Sequence, residues 1–114
     1  MIYIKDVELK ERARRIKEKY QLDHIDLQRV VFFKSRGTKS KRVIGRCWSL
    51  PKIWQQALKI DAHYAIEVIS ERYDTLNEKM KDEVILHELL HIPKGFGGGL
   101  RHHKQLKKAL EELR

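Results

Sequence analysis

The apolar positions of the chain follow two different periods, which predict a helix followed by strands. Over residues 5–20 the apolar side chains recur at spacings of three and four, so they share one face of an amphipathic helix: Leu9, Ala13, Ile16 and Tyr20. Residues 29–34 (RVVFFK) and 42–50 (RVIGRCWSL) are rich in β-branched and aromatic side chains and predict two strands. Residues 35–41 contain Gly37 and are expected to form an exposed hairpin loop between these strands.

The second half of the chain begins with a third predicted strand. Residues 64–70 (YAIEVIS) alternate between two apolar sets, and Glu67 is the exception on an otherwise apolar face. Ahead of this strand, Pro51 is expected to begin a short turn or helix. Gly45, within the second strand, marks a candidate bulge.

The longest predicted helix follows the third strand. Thr75 and Glu78 fit a capping box in which Thr75 is the N-cap, and Pro93 ends the helix. Residues 94–99 (KGFGGG) contain four of the six glycines and predict a mobile loop, and residues 103–113 predict a last helix. The order is typical of an α+β domain with an N-terminal helix, a small and mostly antiparallel three-stranded sheet, and two further helices.

Length and composition narrow the class of protein. The 114 residues allow one domain, spanning 1–114, and the single Cys47 excludes an intrachain disulfide scaffold. No apolar run approaches the ~20 residues that span a bilayer, and the N-terminus lacks the apolar stretch of a signal peptide, so we expect a cytoplasmic protein without membrane contact. The formal charge of +9 invites a nucleic-acid partner.

The strongest chemical signal is the segment HELLH, residues 87–91. On a helix, His87 and His91 lie one turn apart on the same face, so both imidazoles can reach one metal ion. Glu88 is rotated by about 100° from His87, on the flank where a water would meet the metal. This is the HExxH arrangement of zinc peptidases, with two ligands and a general base on one turn. The strongly apolar surroundings (VILHELLHIP) argue against two ordinary histidines, since buried polar groups need partners.

A catalytic zinc takes three protein ligands and leaves one position for water. The third ligand is expected beyond the glycine-rich residues, where His102 and His103 are adjacent and spacing alone does not separate them. Glu111 and Glu112 are the acidic alternatives on the last helix.

The segment VILHELLHIPKGFGGGLRHH, together with YAIEVISERYDTL upstream of it, resembles the small metallopeptidases of archaea and phages. The resemblance covers roughly residues 42–106, and in its L-R-x-H pattern His103 takes the ligand position. More distantly the chain is similar to SprT-like proteases, which share HExxH, a later histidine and a minimal zincin fold. The resemblance implies a zincin-like metallopeptidase domain in which zinc is bound by His87, His91 and His103, and Glu88 is the general base for hydrolysis of a peptide bond.

Several side chains are candidates for supporting roles. The oxyanion of the reaction needs a further donor, for which Tyr73, Arg101 and His102 are the options, and Glu83 is a candidate to orient an imidazole. A peptide substrate of such an enzyme adds as a strand to a sheet edge, provided here by residues 42–50 or 64–70. Trp48 and Trp54 are candidates to line a substrate subsite, although core packing is the expected role of both, and Cys47 is expected to be an inert thiol.

The positive charge is concentrated between residues 34 and 46. This segment has six basic residues and no acidic one, which makes it a candidate nucleic-acid contact or a solvated loop that protects a sheet edge: Lys34, Arg36, Lys39, Lys41, Arg42 and Arg46. Two other functions therefore stay open beside the peptidase. One is a metal-dependent endoribonuclease, against which Glu88 counts, and the other is a nucleic-acid-associated binding module with a non-catalytic metal site.

Overall fold

The computed structural model describes residues 1–113. Its strands and helices follow in the order β1 (Ile2–Lys5), α1 (Val7–Lys19), β2 (Val30–Arg36), β3 (Gly45–Ser49), α2 (Lys52–Leu58), β4 (Tyr64–Ile69), α3 (Ser70–Tyr73), α4 (Glu78–Leu90) and α5 (His103–Leu113), with a 3-10 turn at Leu27–Arg29 before β2. The α+β class is confirmed. No helix among these residues is long and apolar enough to cross a membrane.

The sheet has four strands in the order β1-β2-β4-β3 rather than the three that were predicted. β1 precedes the first helix and pairs antiparallel with β2, and all four of its residues are exposed. β4 pairs parallel with β2 and antiparallel with β3. Two of the three pairings are therefore antiparallel.

The predicted hairpin between β2 and β3 is wrong, because β4 lies between these two strands. Five of the six residues of β4 are buried, on both faces of the sheet. A strand whose residues are buried on both faces fits an interior position, where a neighbouring strand pairs with each of its edges. Residues 37–44 therefore connect β2 to β3 past the end of β4 instead of forming a tight turn.

α1 begins where Asp6 provides the N-cap, its carboxylate accepting a hydrogen bond from the Leu9 amide at 2.9 Å. Its predicted apolar face is buried, and one basic side chain is buried beside it. Arg12 is 5% exposed and donates to Glu78 and Asp82 of α4, each at 2.7 Å. This ion pair holds α1 against α4 in addition to their apolar contact.

The predicted capping box at the start of α4 is wrong in detail. Asn77 is the N-cap, since its side chain accepts a hydrogen bond from the Met80 amide at 2.8 Å. Thr75 instead donates from Oγ1 to the carbonyl of Arg72, in the turn that follows α3. Glu78 becomes the first residue of the helix, where its carboxylate is free to bind Arg12.

The two faces of the sheet have different surroundings. The core lies on the face of Phe32 and Ile66, where α1, α4 and α5 pack, and it includes no side chain of the opposite face within residues 1–113. We call that opposite side the open face, although Ser35, Glu67 and Ile69 on it are buried. It is formed by residues that the strand register places side by side: Tyr3, Lys5, Val31, Phe33, Ser35, Arg46, Trp48, Ala65, Glu67 and Ile69.

Candidate metal centre

The last turn of α4, its C-cap residue His91 and the first residue of α5 bring three imidazoles together. The ring centroids of His87 and His91 are 5.0 Å apart. The ring centroid of His103 lies 5.5 Å from that of His87 and 5.2 Å from that of His91. One ring nitrogen from each histidine lies within 4.8 Å of the others. A tetrahedral ion with bonds of ~2.0–2.1 Å needs nitrogens about 3.3 Å apart, so small rotations of the side chains complete such a site.

The orientation of His91 is set by the chain that returns after the glycine-rich residues. His91 Nδ1 lies 2.6 Å from the carbonyl oxygen of Arg101, and because a carbonyl only accepts, Nδ1 carries the proton. Nε2 is therefore the free ligand atom of this imidazole. The Arg101 amide in turn donates to the His91 carbonyl at 2.7 Å. This reciprocal pair fixes the segment that leads directly into His103.

His102 and His103, which spacing did not separate, have different surroundings. His103 belongs to the imidazole cluster. His102 is exposed, its amide donates to Gln105 Oε1 at 3.0 Å, and its carbonyl accepts from Leu106 at the start of α5. Within residues 1–113, His102, Glu111 and Glu112 lie outside the cluster.

Glu88 lies beside the three imidazoles in a buried position. It is 5% exposed, and its Oε1 is 3.8 Å from Nε2 of His91. Burial raises the pKa of Glu88 to about 7. Burial, followed by the neighbouring His91 and His103, lowers the pKa of His87, which favours the neutral imidazole that a metal requires.

Gly45 makes the close approach of β3 to Glu88 possible. A Cβ atom at this position would lie 3.1 Å from Glu88 Oε2 and 3.3 Å from Glu88 Cγ. The register from Gly45 to Ser49 is continuous with β4, so the predicted bulge is absent from this strand. The glycine instead marks the contact between the strand and the carboxylate.

Two adjoining hollows open on either side of Glu88 between β3 and α4. The first, of about 400 Å³, is lined mainly by apolar side chains: Ile44, Leu76, Met80 and Val84, with Arg42 and Glu83 at its rim. The second, of about 330 Å³, contains the three histidines together with Arg46, Cys47 and Trp48 of β3. Both hollows include His87, Glu88 and Gly45, so together they form one cleft along the strand.

Comparison with known proteins gives the family. A family model described as "Putative phage metallopeptidase" matches residues 1–111. The chain belongs to this family. No curated protein and no solved structure gives a significant match. Membership in a metallopeptidase family implies a metal ion, and the imidazole cluster offers a place for one.

The glycine-rich residues of this family member, predicted to be a mobile loop, are bound at several points. The Tyr64 hydroxyl accepts a hydrogen bond from the Gly98 amide and donates to the Gly99 carbonyl, both at 2.9 Å. Gln55 of α2 donates to the Gly97 carbonyl at 3.4 Å. Phe96 is buried, with its ring centroid 5.0 Å from that of Tyr64. These contacts hold the loop that separates His91 from His103.

Several predicted supporting residues lie elsewhere. Tyr73 is buried under Lys34 and Lys81, outside the cleft lining, and burial raises its pKa to about 12. The Arg101 guanidinium lies 3.4 Å from the Leu90 carbonyl at the end of α4. Glu83 borders the first hollow but forms no hydrogen bond with an imidazole among the described residues.

The aromatic and thiol predictions have mixed outcomes. Core packing is wrong for both tryptophans, since Trp48 is 53% and Trp54 is 55% exposed. Burial raises the pKa of Cys47 to about 12, as expected for an inert thiol. Sequence reasoning missed the roles of Tyr64, Gln55 and the Arg101 carbonyl, because each acts through a contact with a residue distant in the chain.

Proposed function

We propose that this protein is a zinc-dependent peptidase. His87, His91 and His103 hold the ion, and Glu88 is the general base. The observation that supports this most directly is a buried carboxylate beside three clustered imidazoles, of which one has its tautomer set by the Arg101 carbonyl. When bound, zinc at such a site supplies Lewis-acid activation of water and of the scissile carbonyl.

The donor set fits a catalytic zinc. Zinc commonly binds neutral imidazoles. Three protein ligands leave one position of its tetrahedral coordination open for water, whereas structural zinc sites have four protein ligands. The nearby thiol, Cys47, borders the second hollow but is not among the clustered ligand atoms.

Glu88 carries the proton transfers. Its carboxylate takes a proton from the attacking water and returns it to the leaving amine. A pKa raised to about 7 by burial suits a group that must both accept and release a proton near neutral pH. Gly45 leaves the space on the strand side that this carboxylate occupies.

The cleft favours an extended peptide along β3. β3 is an outer strand, so one edge of its backbone is free to pair with a substrate strand, whereas β4 is interior and the alternative edge at residues 64–70 is wrong. On one side of Glu88, Ile44, Met80 and Val84 form an apolar hollow. We expect cleavage beside a residue with a large apolar side chain that fills this hollow.

The test compares wild type with Glu88→Gln, His103→Ala and His102→Ala. We measure bound metal by mass spectrometry and cleavage of casein and of a structured RNA. We expect about one zinc per chain in wild type, Glu88→Gln and His102→Ala, loss of zinc in His103→Ala, and no casein cleavage by Glu88→Gln. His102→Ala is the matched control for the neighbouring histidine.

Two results contradict the proposal. Stoichiometric zinc with RNA cleavage and no proteolysis identifies an endoribonuclease. Stoichiometric zinc with cleavage of neither substrate, together with retained nucleic-acid binding after chelation, identifies a binding module with a non-catalytic metal site.

A further inference from the structure

The open face of the sheet carries aromatic and basic side chains that the proposed hydrolysis does not use. Tyr3 is 55% and Trp48 is 53% exposed, and Phe33 is half-buried between them. The rings of Tyr3 and Phe33 meet edge to face, with centroids 6.4 Å apart. Lys5 and Arg46 stand on the same face. Exposed rings beside basic side chains are the usual components of a stacking surface.

The strand register arranges these side chains in three successive rows. Tyr3 lies beside Ser35 at the end where β2 and β4 finish. The middle row contains Lys5, Phe33, Glu67 and Arg46, and the last row contains Val31, Ala65 and Trp48. Since neighbouring strands are ~4.8 Å apart, the three rings follow a diagonal path across the sheet.

Glu67 gives the centre of this face a fixed arrangement. Its carboxylate is 1% exposed, and it accepts hydrogen bonds from Ser35 Oγ at 2.5 Å and Trp48 Nε1 at 3.0 Å. The Arg46 guanidinium lies 3.7 Å away. The indole and the guanidinium are thereby held in place on the surface, which reduces the entropy that a ligand must remove when it binds.

The charge around the open face is positive. Three basic residues of the connection between β2 and β3 are exposed near the Tyr3 end of the sheet: Lys39, Lys41 and Arg42, of which Arg42 also borders the first hollow. Lys34 and Arg36 are not part of this group, because the strand register places both on the other face, where Lys34 donates to Asp74 at 2.9 Å. The one carboxylate of the open face, Glu67, is buried and paired. The surface therefore complements a polyanion.

We propose that the open face binds single-stranded nucleic acid. Unpaired bases stack on Tyr3, Phe33 and Trp48, and phosphates bind Lys5, Arg46 and the basic β2–β3 connection. A single strand fits better than a duplex, because only unpaired bases offer their faces to exposed rings. Arg46 and Trp48 also border the cleft, so a strand bound here lies beside the candidate metal centre.

The test measures binding of fluorescent 12-nucleotide oligothymidylate and oligouridylate, with a 12-base-pair duplex of mixed sequence as comparison. The binding protein is Glu88→Gln, so the result does not depend on hydrolysis. We expect tighter binding of the single strands than of the duplex. Tyr3→Ala weakens binding about 5- to 100-fold, and Tyr3→Phe, which keeps the ring, restores it. Trp54→Ala, which removes an equally exposed ring on α2, leaves binding unchanged.

Salt dependence tests the role of the basic residues. Replacing Lys39 and Lys41 by Gln lowers the slope of log affinity against log salt by about 1.4, since each phosphate contact to a single strand contributes about 0.7. Both lysines are exposed, so we expect the variant to fold. An unchanged slope would mean that these lysines do not contact phosphates, which contradicts the proposal.

Three other results overturn the proposal. One is no binding of either oligonucleotide at 50 mM salt, and another is equal binding by wild type and Tyr3→Ala. The third is a dimer in sedimentation experiments that Tyr3→Ala dissociates while oligonucleotide binding is unaffected, because the open face is then a protein interface.

Discussion

Gly45→Ala is the smallest change that tests the role assigned to Glu88. The new Cβ would lie 3.1 Å from Glu88 Oε2, 3.3 Å from Glu88 Cγ and 3.3 Å from the Glu67 carbonyl oxygen. Ordinary contacts begin at 3.4 Å, so the Glu88 side chain must move by a few tenths of an ångström. The backbone of Gly45 does not have positive φ, and alanine is therefore compatible with its conformation.

The expected effects on activity and on stability differ in size. Moving a buried side chain away from its rotamer costs about 0.5–1.5 kcal/mol, which corresponds to about a 2- to 12-fold lower kcat if the carboxylate is the base. Alanine also restricts the unfolded chain, which offsets strain by about 0.4–1 kcal/mol. We therefore expect the free energy of unfolding to stay within about 1 kcal/mol of wild type while peptidase activity falls.

The assay combines kcat on a fluorogenic peptide, bound metal and a urea unfolding curve. Gly95→Ala is the matched control, because a Cβ at Gly95 meets nothing within 4 Å. Full activity of Gly45→Ala would refute the reasoning, and so would a loss of activity that is explained by lost metal or by unfolding.

Three further predictions concern the fold. Asp82→Asn removes a charged partner of the buried Arg12, and we expect the free energy of unfolding to fall by about 1–3 kcal/mol in urea titrations. Arg12→Met leaves only the more exposed carboxylates unpaired, so we expect it to lower the free energy of unfolding by less. Gly98→Ala forces a side chain into φ +104° and places its Cβ 2.5 Å from Gln55 Nε2, so the melting temperature should fall even in a Gln55→Ala background. Burial lowers the pKa of His24, so the unfolded state binds the His24 proton more tightly than the folded state does. We therefore expect the metal-free, chelated protein to lose stability as pH falls below ~6.5. Thermal melts at pH 7.5 and 5.5 should show a smaller loss for His24→Gln.

Local patterns predicted the helices better than the strands. The spacing of Leu9, Ala13 and Ile16 identified the buried face of α1, because helical periodicity depends only on neighbours within two turns. The N-cap of α4 was two residues away from the predicted one, since Thr75 and Asn77 both suit an N-cap and the turn after α3 decides between them. β1 was missed because four residues give only two positions on each face, although Ile2, Tyr3 and Ile4 suit a strand.

The order of the strands in the sheet could not be predicted from local sequence patterns. The segments that form β2 and β3 are neighbours in the chain, but β4 lies between them, because a strand with five of six residues buried fits the interior of the sheet better than its edge. That placement makes β3 an outer strand beside α4, brings Gly45 against Glu88 and collects the rings of the open face. None of these contacts has a counterpart in sequence spacing.

The sequence alone determined that His87, Glu88 and His91 share one turn of a helix, because helical geometry fixes the relation of residues four apart. Spacing did not separate His103 from His102; the resemblance favoured His103, and the tertiary structure brings its imidazole into the cluster. The reciprocal hydrogen bonds between His91 and Arg101 set where the returning chain begins α5, and so decide which of two adjacent histidines joins the cluster. The charge of the protein shows the same division. The composition determines the net charge of +9, whereas strand pairing and burial decide which basic side chains are exposed beside the exposed rings.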